Sequence, residues 1–168
     1  MAESKSPFSS TPVAFIAIDQ VQGESAVKDD QIDVLGWSWN LQQPADTRVE
    51  AGANGKAFAN NLTFTKPVDK ATPALLRYLL KCTHLKTAVL STIKTLDGQM
   101  IDTYKLTMSN VVIAEMGPGL VDDNGRACEQ IELNFDKFII EYNQIKGGVA
   151  QGGVKYGWDL RKNVEYSE

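Results

Sequence analysis

Apolar and polar residues alternate in short runs along most of this chain, with the two-residue period of half-buried β-strands. Val13 to Ile18 is the first β-prone run, and the polar stretch Asp19 to Asp30 closes it. Ile32 to Asn40 follows, reading Ile-Asp-Val-Leu-Gly-Trp-Ser-Trp-Asn, with two tryptophans separated by a single serine. In one extended strand, Leu35, Trp37 and Trp39 share a face, and Val34, Gly36, Ser38 and Asn40 take the other. Two indoles on one face call for burial, in the core of this subunit or against a neighbour. The opposite face is small and partly polar and suits a cavity, an interface or water.

Gln42 to Asn61 carries Pro44, Gly52 and Gly55 with little apolar periodicity and reads as a long loop or extended hairpin tip. Leu62 and Phe64 alternate with threonines in a strand that ends at Lys66-Pro67. Thr72-Pro73 then starts a helix, with the hydroxyl as cap and the proline where no amide proton is missed. Leu75, Leu76, Leu79 and Leu80 fall on one arc, expected to pack on a sheet. Thr87 to Thr95 and Gln99 to Ile113 flank Leu96-Asp97-Gly98, a hairpin signal because Asp and Gly tolerate positive φ.

Gly117-Pro118-Gly119 and Val121 to Arg126 are turn-rich. Ile131, Leu133 and Phe135 alternate, and Phe138, Ile140 and Tyr142 resume the pattern in shifted phase, which predicts a bulge or bend at Asp136-Lys137. Gly147 to Gly153 reads as a glycine-rich link before a last alternating strand with Val154, Tyr156, Trp158 and Leu160 on one face. Many short strands and one helix predict a mainly β fold, an antiparallel β-barrel or sandwich of packed sheets with a flanking helix. Its expected core includes Trp37, Trp39, Leu75, Leu76, Leu79 and Trp158.

At 168 residues, with 43% hydrophobic and 23% charged, the chain suits a single domain spanning 1–168 with Met1 to Pro12 as a flexible extension. A formal charge of −4 gives no reason to expect nucleic acid as a partner. No segment is long and apolar enough for membrane insertion, and the N-terminus lacks the basic start of a secretory signal. Cys82 and Cys128 are expected as reduced, mostly buried thiols.

His84 is the sole histidine, so neither a multi-histidine metal site nor a Ser-His-Asp relay has its parts. A His84 relay with Cys82 is less favoured than a surface or capping role just past the helix. Asp29, Asp30 and Asp33 lack calcium-loop spacing and read as a solvated turn. The glycine-rich stretches lack the lysine and the strand-to-helix context of a phosphate cradle. The expectation is a protein without metal, cofactor or catalytic residues.

Four motifs occur in order: Gly23-Glu-Ser25, Asp33-Val-Leu-Gly-Trp-Ser-Trp39, Phe64-Thr-Lys-Pro-Val-Asp-Lys-Ala-Thr-Pro-Ala-Leu-Leu76, and Lys155-Tyr-Gly-Trp-Asp-Leu-Arg-Lys-Asn163. Together they resemble the haemolysin-coregulated protein family, Hcp, from Val13 to Val164. The resemblance implies a compact, tail-tube-like β-barrel with one helix that assembles as a homo-hexamer. It implies that rings stack as the inner tube of the bacterial type VI secretion system, built in the cytoplasm and secreted without a cleaved signal peptide. Partners so implied are the contractile sheath, the tip spike and small effector proteins carried in the ring lumen. With its end at Glu168, the chain looks like the plain tube form.

By the same resemblance, Ser38 with Gly36 is the candidate lumen and effector contact. The loop residues Gln42, Gly52, Asn54, Gly55 and Asn61 are the candidate ring-stacking contact. The alternative from the residues alone is a monomeric β-barrel module binding a small ligand or glycan on the Trp pair.

Overall fold

The computed structural model describes residues 12–44, 48, 55–96, 98–147 and 149–167. The Met1 to Thr11 part of the expected extension, together with Gly52, Asn54 and Asp97, lies outside the described residues. The remainder is mainly antiparallel β with one helix, as expected.

The Trp segment is two strands rather than one. Strand β1 (Ala14–Ile18) pairs with β2 (Ile32–Val34), the chain bends at Leu35, and β3 (Gly36–Ser38) continues in a second sheet. Val34 and Leu35 are therefore both buried, which simple alternation forbids. Strands β4 (Leu41–Gln42) and β5 (Phe58–Ala59) pair antiparallel as the base of a hairpin. Strand β6 (Leu62–Pro67) pairs with β3, and helix α1 (Thr72–Leu80) follows it.

Strands β7 (Leu85–Leu96) and β8 (Gln99–Pro118) form the Asp-Gly hairpin, with Leu96 opposite Gln99 and Gly98 at φ 80°. The early part of β8 pairs with β7 and with β10 (Lys137–Lys146), whereas from Val112 onward it pairs with β9 (Cys128–Asn134). Asn110, at φ 54°, marks the corner between these two parts. Residues 135–136 separate β9 from β10, so the phase shift anticipated there is a change of sheet. The expected glycine link is instead mostly strand: Gly147 turns at φ 61° and Val149 in β11 (Val149–Asp159) already pairs with Lys146. Strand β12 (Val164–Glu165) lies on the far edge of β11.

One sheet runs β12-β11-β10-β8-β7-β1-β2, and the second runs β3-β6-β9 and returns to β8. The ladder is not a closed barrel. Two bent paths, β2 into β3 and β8 through Asn110, carry the chain between sheets, and the Leu35 amide donating to the Thr65 carbonyl at 2.8 Å seals one corner. The core joins Ile16, Ile32, Leu90, Leu106 and Met108 from one sheet to Leu62, Phe64, Ile131 and Leu133 from the other, with Leu75 from the helix.

The helix departs from expectation twice. Thr72 is its first residue and gives no side-chain cap. Its hydroxyl instead donates to Glu129 Oε1 at 2.6 Å, while Asp69 Oδ1 accepts from the Ala71 amide. The expected leucine arc is also half right. Leu75 is buried and Leu79 partly so, but Leu76 is 45% and Leu80 77% exposed. At about 100° per residue, Ala71, Leu75 and Tyr78 define the inward row and place Leu76 and Leu80 well round the helix.

Beneath the helix start, Lys66 is fully buried. Its ammonium meets Asp69 Oδ1 at 2.6 Å and Glu129 Oε1 at 2.7 Å, and donates to the Pro67 carbonyl at 2.7 Å. One cation thus ties β6, β9 and the entry to α1 together, and both carboxylates depend on it for charge compensation. Lys66→Met is expected to cost about 3–5 kcal/mol in urea unfolding, because two buried carboxylates lose their partner. Adding Glu129→Gln should recover part of that loss. Wild-type stability in the single variant would show that the ammonium contributes nothing.

Candidate functional site

The Trp37 and Trp39 indoles pack inward. Trp37 stacks on Tyr104 with centroids 5.8 Å apart, and Trp39 meets Phe138 edge-on at 4.9 Å and Phe135 at 5.8 Å. Both are half-buried against the core, so they form no exposed platform for a ligand, which removes the feature that favoured a monomeric binding module. Burial also pushes the Tyr104 phenol above its ordinary pKa.

Opposite the indoles, Ser38 is exposed and Gly36 half-buried. Together with Leu35, Trp37, Thr63, Thr65 and Gln130 they line a shallow depression of about 350 Å³. Register sets this face. The inward row Trp37–Phe64–Ile131–Met116 lies between two outward rows, Ser38–Thr63–Glu132–Glu115 and Gly36–Thr65–Gln130–Gly117.

The hairpin of β4 and β5 is fastened to the end of the chain. Lys56 Nζ donates to the Arg161 carbonyl at 2.9 Å, and the Ala57 amide to Asn163 Oδ1 at 3.3 Å. Between hairpin and sheet runs an open groove of about 320 Å³, lined by Leu41, Gln42, Gln43, Ala57, Phe138, Tyr156 and Trp158. A Cβ at Gly55 would stand 3.6 Å from the Pro44 ring. Asn61 belongs elsewhere: its Nδ2 donates to Glu132 Oε2 at 3.0 Å and its Oδ1 accepts from Asn134, which places it beside the Ser38 face.

On β11 the alternating apolar face is only half used. Trp158 is half-buried, but Val154 is 75% and Tyr156 52% exposed. Sequence alternation signals a face without saying whether the chain's own core or another molecule covers it.

Neither cysteine is in a disulfide; Cys128 is buried, and Cys82 is exposed rather than buried as expected. His84 is exposed. Asn110 Nδ2 donates to Asp136 Oδ2 at 2.7 Å, which leaves Asn110 Oδ1 to accept from His84 Nδ1 at 2.9 Å. This polar chain latches the β8 corner to the bend before β10. Asp30 faces Lys70 at 3.9 Å, and no group of three or more His, Cys, Asp or Glu suited to a metal occurs among the described residues.

Two aspartates fix turns. The amides of Lys162 and Arg161 donate to Asp159 Oδ1 at 2.8 and 3.0 Å and hold its carboxyl below the ordinary value despite burial. Burial pushes the Asp122 carboxyl up, but bonds from the Arg126 amide and guanidinium and the Asn124 amide outweigh it, and its pKa also falls.

A family model described as "Type VI secretion system effector, Hcp" matches residues 15–142. The chain belongs to the Hcp family. The curated relative Protein hcp1 of Pseudomonas aeruginosa is 34% identical over 156 residues, covering 90% of this chain and 96% of that protein. Among solved structures, Hcp1 from Salmonella typhimurium superposes with a TM-score of 0.73 at 29% identity, covering 91% of this chain and 97% of that one. A type VI secretion system effector from Yersinia pestis gives 0.69 at 26%, covering 88% and 99%. This Hcp chain is thus a type VI secretion protein, and no helix among its described residues is long and apolar enough to cross a membrane.

The depressed Asp159 pKa fixes the sign of a pH effect. The charged carboxylate stabilises the fold above the ordinary aspartate value near 3.8, and that stability disappears as pH falls through the lower folded value. Asp159→Asn keeps an oxygen for the two amides but removes the titration. Its melting temperature should drop less than wild type's between about pH 6 and pH 3. Equal drops would mean that Asp159 titrates normally.

Proposed function

We propose that this Hcp chain is a single tube domain whose hexameric rings stack as the inner tube of the type VI apparatus. Sheath contraction then expels the tube with its tip spike. The observation that carries this reading is family membership over most of the chain combined with apolar surface that the chain's own core leaves uncovered. Val154 and Tyr156 on β11 and Leu76 and Leu80 on α1 are exposed, and among the described residues β11 has a hydrogen-bonded neighbour on one side only over most of its length. A heterologous contact that closes a ring covers such surface on every copy and leaves no open edge within the ring.

In this reading the Ser38 face lines the lumen, where small effectors ride. The segment between β4 and β5 reaches the adjacent ring, with Gln42, Gly52, Asn54 and Gly55 as its candidate contacts. The chain acts as carrier and wall, with no chemistry asked of its side chains.

Sedimentation of purified protein should give a particle of six times the chain mass, and a monomer at all concentrations would overturn the proposal. Ser38→Gln should assemble equally well but retain less co-expressed effector, since a longer side chain fills the depression. Unchanged retention would remove Ser38 from the lumen. Deleting residues 48–54 should leave single rings and abolish tubes in electron micrographs. Tubes of normal length would exclude the hairpin from stacking.

A further inference from the structure

The second sheet's outer face carries a charge arrangement that the subunit's own stability does not explain. Glu132 and Glu115 are direct cross-strand partners. They meet because the ladder shifts register between Ile113 and Glu115. The extra residue, Ala114, lets Ile113 and Met116 both turn to the core and leaves Glu115 outward. Like charges directly opposite on a sheet destabilise it.

No lysine or arginine occupies the two outward rows, and among the described residues Lys28, Lys66, Lys155 and Arg161 make their ion pairs with other acids. Among the described residues, the polar contact of Glu132 is the Asn61 amide, which satisfies one oxygen. Beside this pair lies the depression of about 350 Å³, whose lining from Gly36, Ser38, Thr63, Thr65 and Gln130 carries no charge, with the buried Leu35 and the inward-packed Trp37 as its floor.

We propose that this sheet face docks a lysine- or arginine-bearing segment of the cargo protein. The alkyl stem of one such side chain lies in the depression over Gly36 and against Thr63, while its cation reaches the carboxylates one strand away. The hydroxyls and the Gln130 amide take the segment's backbone and neutral groups. Binding a cation relieves the Glu115–Glu132 repulsion, so the destabilising pair becomes favourable only when cargo is present. The inference rests on the proposed lumen reading for the location of the face, not for its chemistry.

Fluorescence anisotropy tests it, using the full-length protein and three labelled peptides alike except for Lys, Glu or Ser at alternate positions. Wild type should bind the Lys peptide and neither of the others, more weakly as salt screens the pair. Glu115→Gln/Glu132→Gln should weaken Lys-peptide binding about tenfold or more. Glu24→Gln/Asp123→Asn removes two exposed charges elsewhere and should bind as wild type does. The Glu115/Glu132 variant should also melt no lower than wild type, so lost binding is not lost folding.

Equal binding by the two double variants, or preference for the Glu or Ser peptide, would overturn the proposal. Light scattering on the same samples keeps the two ideas apart. Rings with unselective binding sink this inference alone. Monomers whose Lys-peptide binding still depends on Glu115 and Glu132 sink the ring reading and leave the docking face supported.

Discussion

A buried ammonium must be surrounded by oxygen, and around Lys66 the fold supplies it from three places at once. Glu129 comes from β9, Asp69 from the link into α1, and the Pro67 carbonyl from the end of β6. Thr72 extends the network by donating to the same Glu129 oxygen. The helix has no side-chain cap, so its position over the core depends on this polar centre as well as on Leu75. An apolar core alone would let a short helix slide. A charge with fixed partners does not.

The same node shows what the sequence made legible and what it concealed. Lys66 lies in phase with Leu62 and Phe64, and Glu129 in phase with Ile131 and Leu133, so opposite charges occupy inward positions of β6 and β9. The period alone hides this pair, because charges on alternating strands normally face solvent. The strands, the helix and the Asp-Gly hairpin were legible because each has a local period or turn chemistry. The corners at Leu35 and Asn110 were not, since a bend between sheets depends on which distant strand is waiting. Leu76, Leu80, Val154 and Tyr156 carry an apolar pattern indistinguishable from core, and only the packed structure separates covered from uncovered faces.

For the candidate site, alternation correctly put the two indoles on one side and Ser38 on the other. It missed Glu115, because the register shift that turns this residue outward shows only as the three-residue step from Ile113 to Met116, beyond the run expected as a strand. It also grouped Asn61 with the hairpin, although its hydrogen bonds to Glu132 and Asn134 join it to the Ser38 sheet. The resulting subunit has a self-sufficient interior and two kinds of unused surface. One is apolar, on α1 and β11. The other is small, polar and acidic, on the outer side of β3, β6, β9 and the end of β8.

The central claim is that neighbouring copies complete the apolar surfaces. Hydrogen exchange read by mass spectrometry, at protein concentrations where the assembly forms and where it dissociates, addresses this directly. The account predicts that residues 149–157 of β11 exchange more slowly when assembled, while the interior strand β7, already paired on both sides, is unchanged. Identical exchange of β11 in both states, despite a change in particle mass, would contradict it.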